Sequence, residues 1–139
     1  MKRIAVFFAA FAALIAGPAF AAEPITGKWK TQEGDSIVTI SRCGQTYCGR
    51  LTRYLVMPEG GVDQRDVNNP DPAKRKRKVL GTALLIGFTQ DGDEWRGRIY
   101  DPRNGKNYRS VLRRKNAGTL EVKGCVGPFC QTQNWTRVP

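Results

Sequence analysis

Two cysteine pairs with one spacing, Cys43-Gly-Gln-Thr-Tyr-Cys48 and Cys125-Val-Gly-Pro-Phe-Cys130, are the most reactive side chains in the sequence. Thiols in such pairs either oxidise to disulfides or hold a metal, and four of them permit three disulfide pairings. Each pair brackets a turn-rich segment between strand-like runs. In a hairpin with a four-residue loop, the flanking residues sit opposite one another, Cα atoms roughly 4.5 to 5.5 Å apart. That separation suits a disulfide. The spacing therefore predicts Cys43–Cys48 and Cys125–Cys130. The rival is a four-thiolate zinc site, which ordinarily wants about two to four residues between paired ligands.

The chain has no histidine. This excludes serine-histidine-acid triads, cysteine-histidine nucleophiles, the H-E-x-x-H zinc helix and histidine-ligated copper or haem. Catalysis would have to run on carboxylates, lysine or tyrosine. Asp101-Pro102-Arg103-Asn104-Gly105-Lys106, flanked by Tyr100 and Tyr108, offers such groups around a turn. Burial could tune them for acid-base work, but a surface pair between Asp101 and Lys106 across a hairpin is the plainer account. Asp66, Asn68 and Asp71 hint at a calcium loop, yet they lack the glycine and distal glutamate of the helix-loop-helix motif. Their side chains suit turn formation instead. The expectation is a protein that is not an enzyme and has neither cofactor nor metal.

The basic run Lys74, Arg75, Lys76, Arg77, Lys78 has two readings. It could bind an anionic lipid surface, a polysaccharide or an acidic partner, each cation near an anionic membrane contributing about 1 kcal/mol. Such a run is also often no more than a solvated, flexible stretch.

The elements that must position these residues begin after a leader. Met1-Lys2-Arg3, the apolar stretch Ile4 to Ala16, Gly17-Pro18 and Ala19-Phe20-Ala21 have the order of a secretory signal peptide cleaved after Ala21. The apolar stretch is shorter than the roughly 20 residues of a transmembrane helix. Residues 22–139 then form one domain. The leader takes Lys2 and Arg3 with it, so the net charge falls from +11 to +9. That surplus favours polyanions, although export disfavours nucleic acid as a physiological partner, and an oxidising compartment favours disulfides over zinc.

Eight strand-like runs follow: 26–31, 36–43, 48–55, 82–89, 94–101, 106–114, 119–125 and 131–138. Short turns carrying glycine or asparagine join most of them, which predicts consecutive antiparallel hairpins. Trp95, Gly97 and Ile99 alternate with Arg96 and Arg98, giving those strands one dry and one charged face. Gly49, Gly97 and Gly124 lie within strands, where they permit the bending a closing sheet needs. Residues 57–80 break the pattern as one long loop, in which Asp71-Pro72 could start a short helix.

Gly27-x-Trp29 on the first run and Arg137 on the last resemble the closure signature of calycin barrels, which include the lipocalins. The resemblance implies that Trp29 plugs the floor while Arg137 packs over its ring. Cys48-Gly49-Arg50, Asp66-x-Asn68-Asn69-Pro70, Leu80-Gly81, Trp95-x-Gly97-x-Ile99-Tyr100-Asp101-Pro102, Gly105-Lys106-x-Tyr108, Gly124-Cys125 and Trp135-x-Arg137 extend the likeness over nearly the whole domain. Together they resemble an exported bacterial family, domain of unknown function 2147. The implied fold is all-β, an eight-stranded antiparallel up-and-down barrel of calycin or lipocalin type whose one long loop carries at most a short helix. Eight strands enclose room for packed side chains or for one small ligand.

The expected function is an exported, periplasmic or secreted binding protein holding a small apolar or amphipathic molecule. Its interior would comprise Trp29, Val38, Ile40, Leu51, Phe88, Trp95, Ile99, Tyr108, Leu112 and Trp135. The alternative is an envelope interaction module that uses Lys74 to Lys78 on its outer surface.

Overall fold

A computed structural model describes residues 5–14 and 22–139. The expected cleavage point after Ala21 lies at the edge of residues outside the described ones, which are 1–4 and 15–21. Residues 5–14 form no helix or strand, and Phe7, Phe8, Phe11 and Leu14 among them are almost fully exposed. Among the described residues, no helix is long and apolar enough to cross a membrane.

Eight antiparallel strands close into a barrel: β1 (Gly27–Lys30), β2 (Ser36–Cys43), β3 (Thr46–Tyr54), β4 (Ala83–Asp91), β5 (Glu94–Asp101), β6 (Lys106–Asn116), β7 (Thr119–Val126) and β8 (Phe129–Val138). Each pairs with the next, and β8 returns to β1 through Trp29↔Arg137. The only helical turns described are short, at Gly61–Asp63 and Pro72–Lys74, both in the long β3–β4 loop. The second begins as expected: the Asp71 carboxylate accepts the Ala73 amide at 3.0 Å, and Pro72 takes the first helical position.

The hairpins around the cysteines are tighter than the sequence spacing implies. Cys43 pairs with Thr46, and Val126 with Phe129, so two-residue turns, Gly44-Gln45 and Gly127-Pro128, replace the expected four-residue loops. Strand hydrogen bonding simply continues past the cysteines. Both disulfides form as expected, Cys125–Cys130 between directly opposed residues with Cα atoms 4.0 Å apart. Cys43–Cys48 spans a diagonal at 5.8 Å, because Cys48 faces Ser41. With every cysteine so engaged, none is left for zinc.

The barrel has a sealed end and an open one. At the sealed end lie the β2–β3, β4–β5 and β6–β7 turns, together with residues 22–26, which run across the floor. Ile25 is buried there, and the backbone around it is held by indoles and a guanidinium. Trp29 Nε1 donates to the Ile25 carbonyl at 2.9 Å, Trp95 Nε1 to that of Glu23 at 3.1 Å, and Arg114 Nη1 to that of Pro24 at 2.6 Å. The main core of buried side chains sits just above and includes Trp29, Val38, Ile40, Leu85, Phe88, Trp95 and Leu112. Tyr47 packs its ring edge-on to Trp95, with centroids 4.9 Å apart. Gly49 and Gly97 do more than bend the wall, since side chains of Leu85 and Val38, and of Phe88, occupy the space where their Cβ atoms would stand.

The expected closure is present. The Arg137 guanidinium lies 4.7 Å from the centroid of the fully buried Trp29 ring, and Arg114 lies at 5.4 Å. Gly27 explains the rest of the motif: its φ is 135°, and a Cβ there would stand 2.9 Å from Arg137 Nη1. The left-handed backbone is what calls for glycine here, and the missing Cβ leaves the guanidinium room over the indole. Trp29→Ala is expected to cost about 3 to 5 kcal/mol as a large buried aromatic is lost, and Arg137→Ala about 0.5 to 2 kcal/mol. Urea denaturation of both variants checks the ordering.

Candidate functional site

Above the core the barrel is hollow. A cavity of about 920 Å³ occupies the half toward the β1–β2, β5–β6 and β7–β8 turns and the long loop. Leu51, Leu84, Ile99, Val122 and Trp135 supply its apolar wall, with Tyr108 beside them; Val122 and Trp135 belong also to the buried core, and Leu84 and Ile99 pack against it. The inward face of β8 grades from apolar to polar over three alternate positions, Trp135, Gln133 and Gln131, toward the mouth. Gln133 is not idle, because its Oε1 accepts Trp135 Nε1 at 2.9 Å and so satisfies the indole. At the rim, Val56, Met57, Val67, Val126 and Phe129 are exposed while lining the opening.

Of the ten interior residues expected from sequence, Leu51, Ile99, Tyr108 and Trp135 line this cavity. Trp29, Val38, Ile40, Phe88, Trp95 and Leu112 do not; they fill the barrel beneath it. Apolar character put all ten in the interior, and height along the barrel axis decides which of them reach the cavity; Trp135 both packs in the core and lines the space above. Leu84 and Val122 were missed, although Val122 lies two residues before Gly124 on one strand face. Leu84 had no such signal, because register shifts interrupt the β4 ladder on both sides.

Charges at the mouth are engaged with one another. Asp101 and Lys106 are opposed in register, as expected. Their expected ion pair does not form, however, for the Asp101 carboxylate accepts Arg103 Nε at 3.1 Å, while Arg103 Nη1 reaches Glu33 at 3.3 Å. Asp101, and after it Glu33, raise the pKa of the Arg103 guanidinium against the opposing effect of burial. The turn bends the guanidinium back over the carboxylate, and Lys106 is left in solvent. Asn104 Nδ2 donates to the Tyr108 hydroxyl at 2.9 Å.

The long loop is a structured flap fastened at a buried acid. Asp66 is fully buried and outside the barrel wall; a carboxylate in such a place must be compensated. Its Oδ2 accepts Asn69 Nδ2 at 2.9 Å and Arg77 at 2.9 and 3.0 Å, and its Oδ1 accepts the Tyr100 hydroxyl. Burial first, and then the bond to Asp66, raise the Tyr100 pKa from 10 to about 12. Farther along, Asn68 Nδ2 donates to the carbonyls of Pro102 and Arg103 at 3.4 and 3.0 Å. Gly105 makes this contact possible, since a Cβ on it would overlap the Asn68 carbonyl. The three residues of the supposed calcium loop thus serve separate ends: Asp66 anchors, Asn68 docks and Asp71 caps.

The basic run is dispersed as well. Arg77 turns inward to Asp66, Lys78 pairs with Asp63 at 2.7 Å, and Arg75 Nε donates to the Asn69 carbonyl at 2.8 Å. The Lys78 ammonium, by hydrogen bond and charge, holds the Asp63 carboxyl below its ordinary pKa. Lys74 and Lys76 are exposed. The stretch is ordered by these bonds, contrary to the flexible reading of five solvated cations.

A closed antiparallel barrel of eight strands, sealed by tryptophan under arginine and hollow toward one mouth, is a calycin-type, lipocalin-like barrel. The chain belongs to the bacterial family described as "uncharacterized protein conserved in bacteria", domain of unknown function 2147, whose pattern matches residues 27–137. No curated protein matches it. Among solved structures it is similar to protein HP1028 from the human pathogen Helicobacter pylori, described as belonging to the lipocalin family. The TM-score is 0.74 at 22% identity, over 84% of each chain.

Tyr100→Phe removes one donor from Asp66 and is expected to cost about 1 to 3 kcal/mol. The raised phenol pKa gives this cost a pH signature. Between about pH 10 and 12 the folded protein keeps a proton that the unfolded chain has lost, so this contribution to stability falls as pH rises through that window. Denaturation measured across that range should show the gap between wild type and Tyr100→Phe constant below pH 10 and shrinking above it.

Proposed function

We propose that the chain is exported, loses residues 1–21, and serves in the periplasm or outside the cell as a non-enzymatic carrier of one small apolar or amphipathic molecule. The observation that carries this reading is the cavity of about 920 Å³, apolar in its depth, with the glutamines of β8 and the charged turns interleaved with apolar side chains toward its mouth. Ligand sites commonly measure about 300 to 1,000 Å³. An apolar tail would lie against Leu51, Leu84, Ile99, Val122 and Trp135. A polar head would rest near Gln131, Gln133 and the charged turns. Removing tail area from water contributes about 25 cal/mol per Å², less the cost of ordering the ligand.

Two further features support the reading. The exposed apolar side chains at the rim, Phe129 and Met57 among them, form a path that an apolar tail can wet on entry. The likeness to a lipocalin-family structure adds a fold in which such cavities are a natural place for a ligand. That Asp101 is bound by Arg103 favours a carrier over a carboxylate-driven hydrolase.

Native mass spectrometry of protein purified from its own host, followed by extraction, is expected to find a bound amphiphile. Gly124 lines the cavity, and a Cβ there would meet Ile99 at an ordinary 3.7 Å. Gly124→Phe should therefore fill the cavity, abolish carriage and displacement of an apolar fluorescent probe, and leave the fold intact by circular dichroism. A folded wild-type protein that takes up no probe and comes from its host empty would overturn the carrier reading.

A further inference from the structure

We infer that the outer wall carries a second site, separate from the cavity, that binds a phosphate-bearing anion. A groove of about 520 Å³ runs between the long loop and the outer faces of β3, β4 and β5. Four cations line it, Arg50, Lys74, Arg77 and Arg98, against one carboxylate, Asp71. Asp71 is occupied in capping the turn at Pro72–Lys74, and Arg77 is held by Asp66 behind the groove. The remaining three converge from different elements: Arg50 from β3, Arg98 from β5 and Lys74 from the loop.

Three arginines elsewhere on the wall are neutralised by carboxylates. Arg96 pairs with Asp91 and Glu94, Arg103 with Asp101 and Glu33, and Arg113 with Glu121. Among the described residues no carboxylate pairs with Arg50, Lys74 or Arg98; Arg50 donates only to the Gly81 carbonyl, at 3.1 Å. Arg98 stands directly opposite Arg109 in the β5–β6 ladder. Like charges in that position destabilise a sheet. The Arg109 guanidinium binds the Gly127 carbonyl and does not line the groove, whereas Arg50, Lys74 and Arg98 share one concave lining with no carboxylate to neutralise them, an arrangement open to an anion supplied from outside.

The ligand class follows from donor chemistry. Guanidinium forks match the oxygens of a phosphate in pairs, and an ammonium adds a point charge. The groove has room for more than the phosphate alone, and Asn107 and Thr82 stand on its lining to meet hydroxyls. A phosphate ester on a small polyol fits these features. It could be a soluble sugar phosphate or the head of a phosphoglyceride.

The test uses the full processed protein and glycerol 1-phosphate, followed by calorimetry and by the side-chain Nε–Hε signals of Arg50 and Arg98. Binding should shift both signals. Arg98→Gln should weaken affinity about tenfold, the loss of one charge-assisted contact, while Lys115→Gln, an exposed cation away from the groove, leaves it unchanged. Without ligand, Arg98→Gln should melt no lower than wild type, because among the described residues its guanidinium has no hydrogen-bond or ion-pair partner to lose. Phosphatidylcholine vesicles with and without phosphatidylglycerol separate the sources. Competition by the anionic vesicles alone identifies a lipid head; no competition, with glycerol 1-phosphate still bound, identifies a soluble ester. Absent shifts at both arginines, or equal weakening by Lys115→Gln, overturns the site. Uptake of an apolar probe by Arg98→Gln should match wild type, so failure here leaves the cavity reading standing.

Discussion

The barrel depends on the stacking of Arg137 over Trp29. β1 has only four residues, yet it must satisfy β2 on one side and β8 on the other. So short a strand contributes few ladder bonds, and without it two sheet edges would be open to pairing with other chains. The buried indole supplies the missing hold, because it is packed by the core, bonded to the Ile25 carbonyl and covered by two guanidiniums. Charge and apolar burial act on the same ring. Gly27 adopts the positive φ that β1 needs at its start and leaves space beside the guanidinium.

A sealed floor dictates where everything else can happen. Trp29, Trp95 and Phe88 are spent in and just above the floor half, and residues 22–26 close it from below. What is left of the interior has fewer large side chains, so the same eight strands that pack solid at one end enclose space at the other. The mouth then needs definition, and the long loop provides it. Its anchor is a carboxylate outside the barrel, fully withdrawn from water and met by tyrosine, asparagine and arginine. Groups so paired hold one geometry well, because breaking any bond strands a buried charge.

Sequence patterning reached far into this fold. The alternation along β5 and β6, the glycine-bearing turns and the paired cysteines were enough for eight consecutive antiparallel strands, and two strands have the bounds expected. The G-x-W and terminal arginine added closure through resemblance. The misplaced details share one cause: turn residues such as Thr46 and Phe129 can extend a strand when the ladder pairs them, and local composition does not register pairing partners.

By itself, the sequence determined strand number, the faces of the alternating strands and the chemistry that the lack of histidine excludes, because each depends on residue type and short-range period. Only the tertiary structure decided which inward residues pack and which line a cavity. It also decided that Asp101 faces Arg103, that five adjacent cations divide among separate partners, and that Arg50, Lys74 and Arg98 share a groove. Those outcomes rest on distances between residues far apart in the chain, set by barrel register and by the path of one long loop, and periodicity carries no information about either.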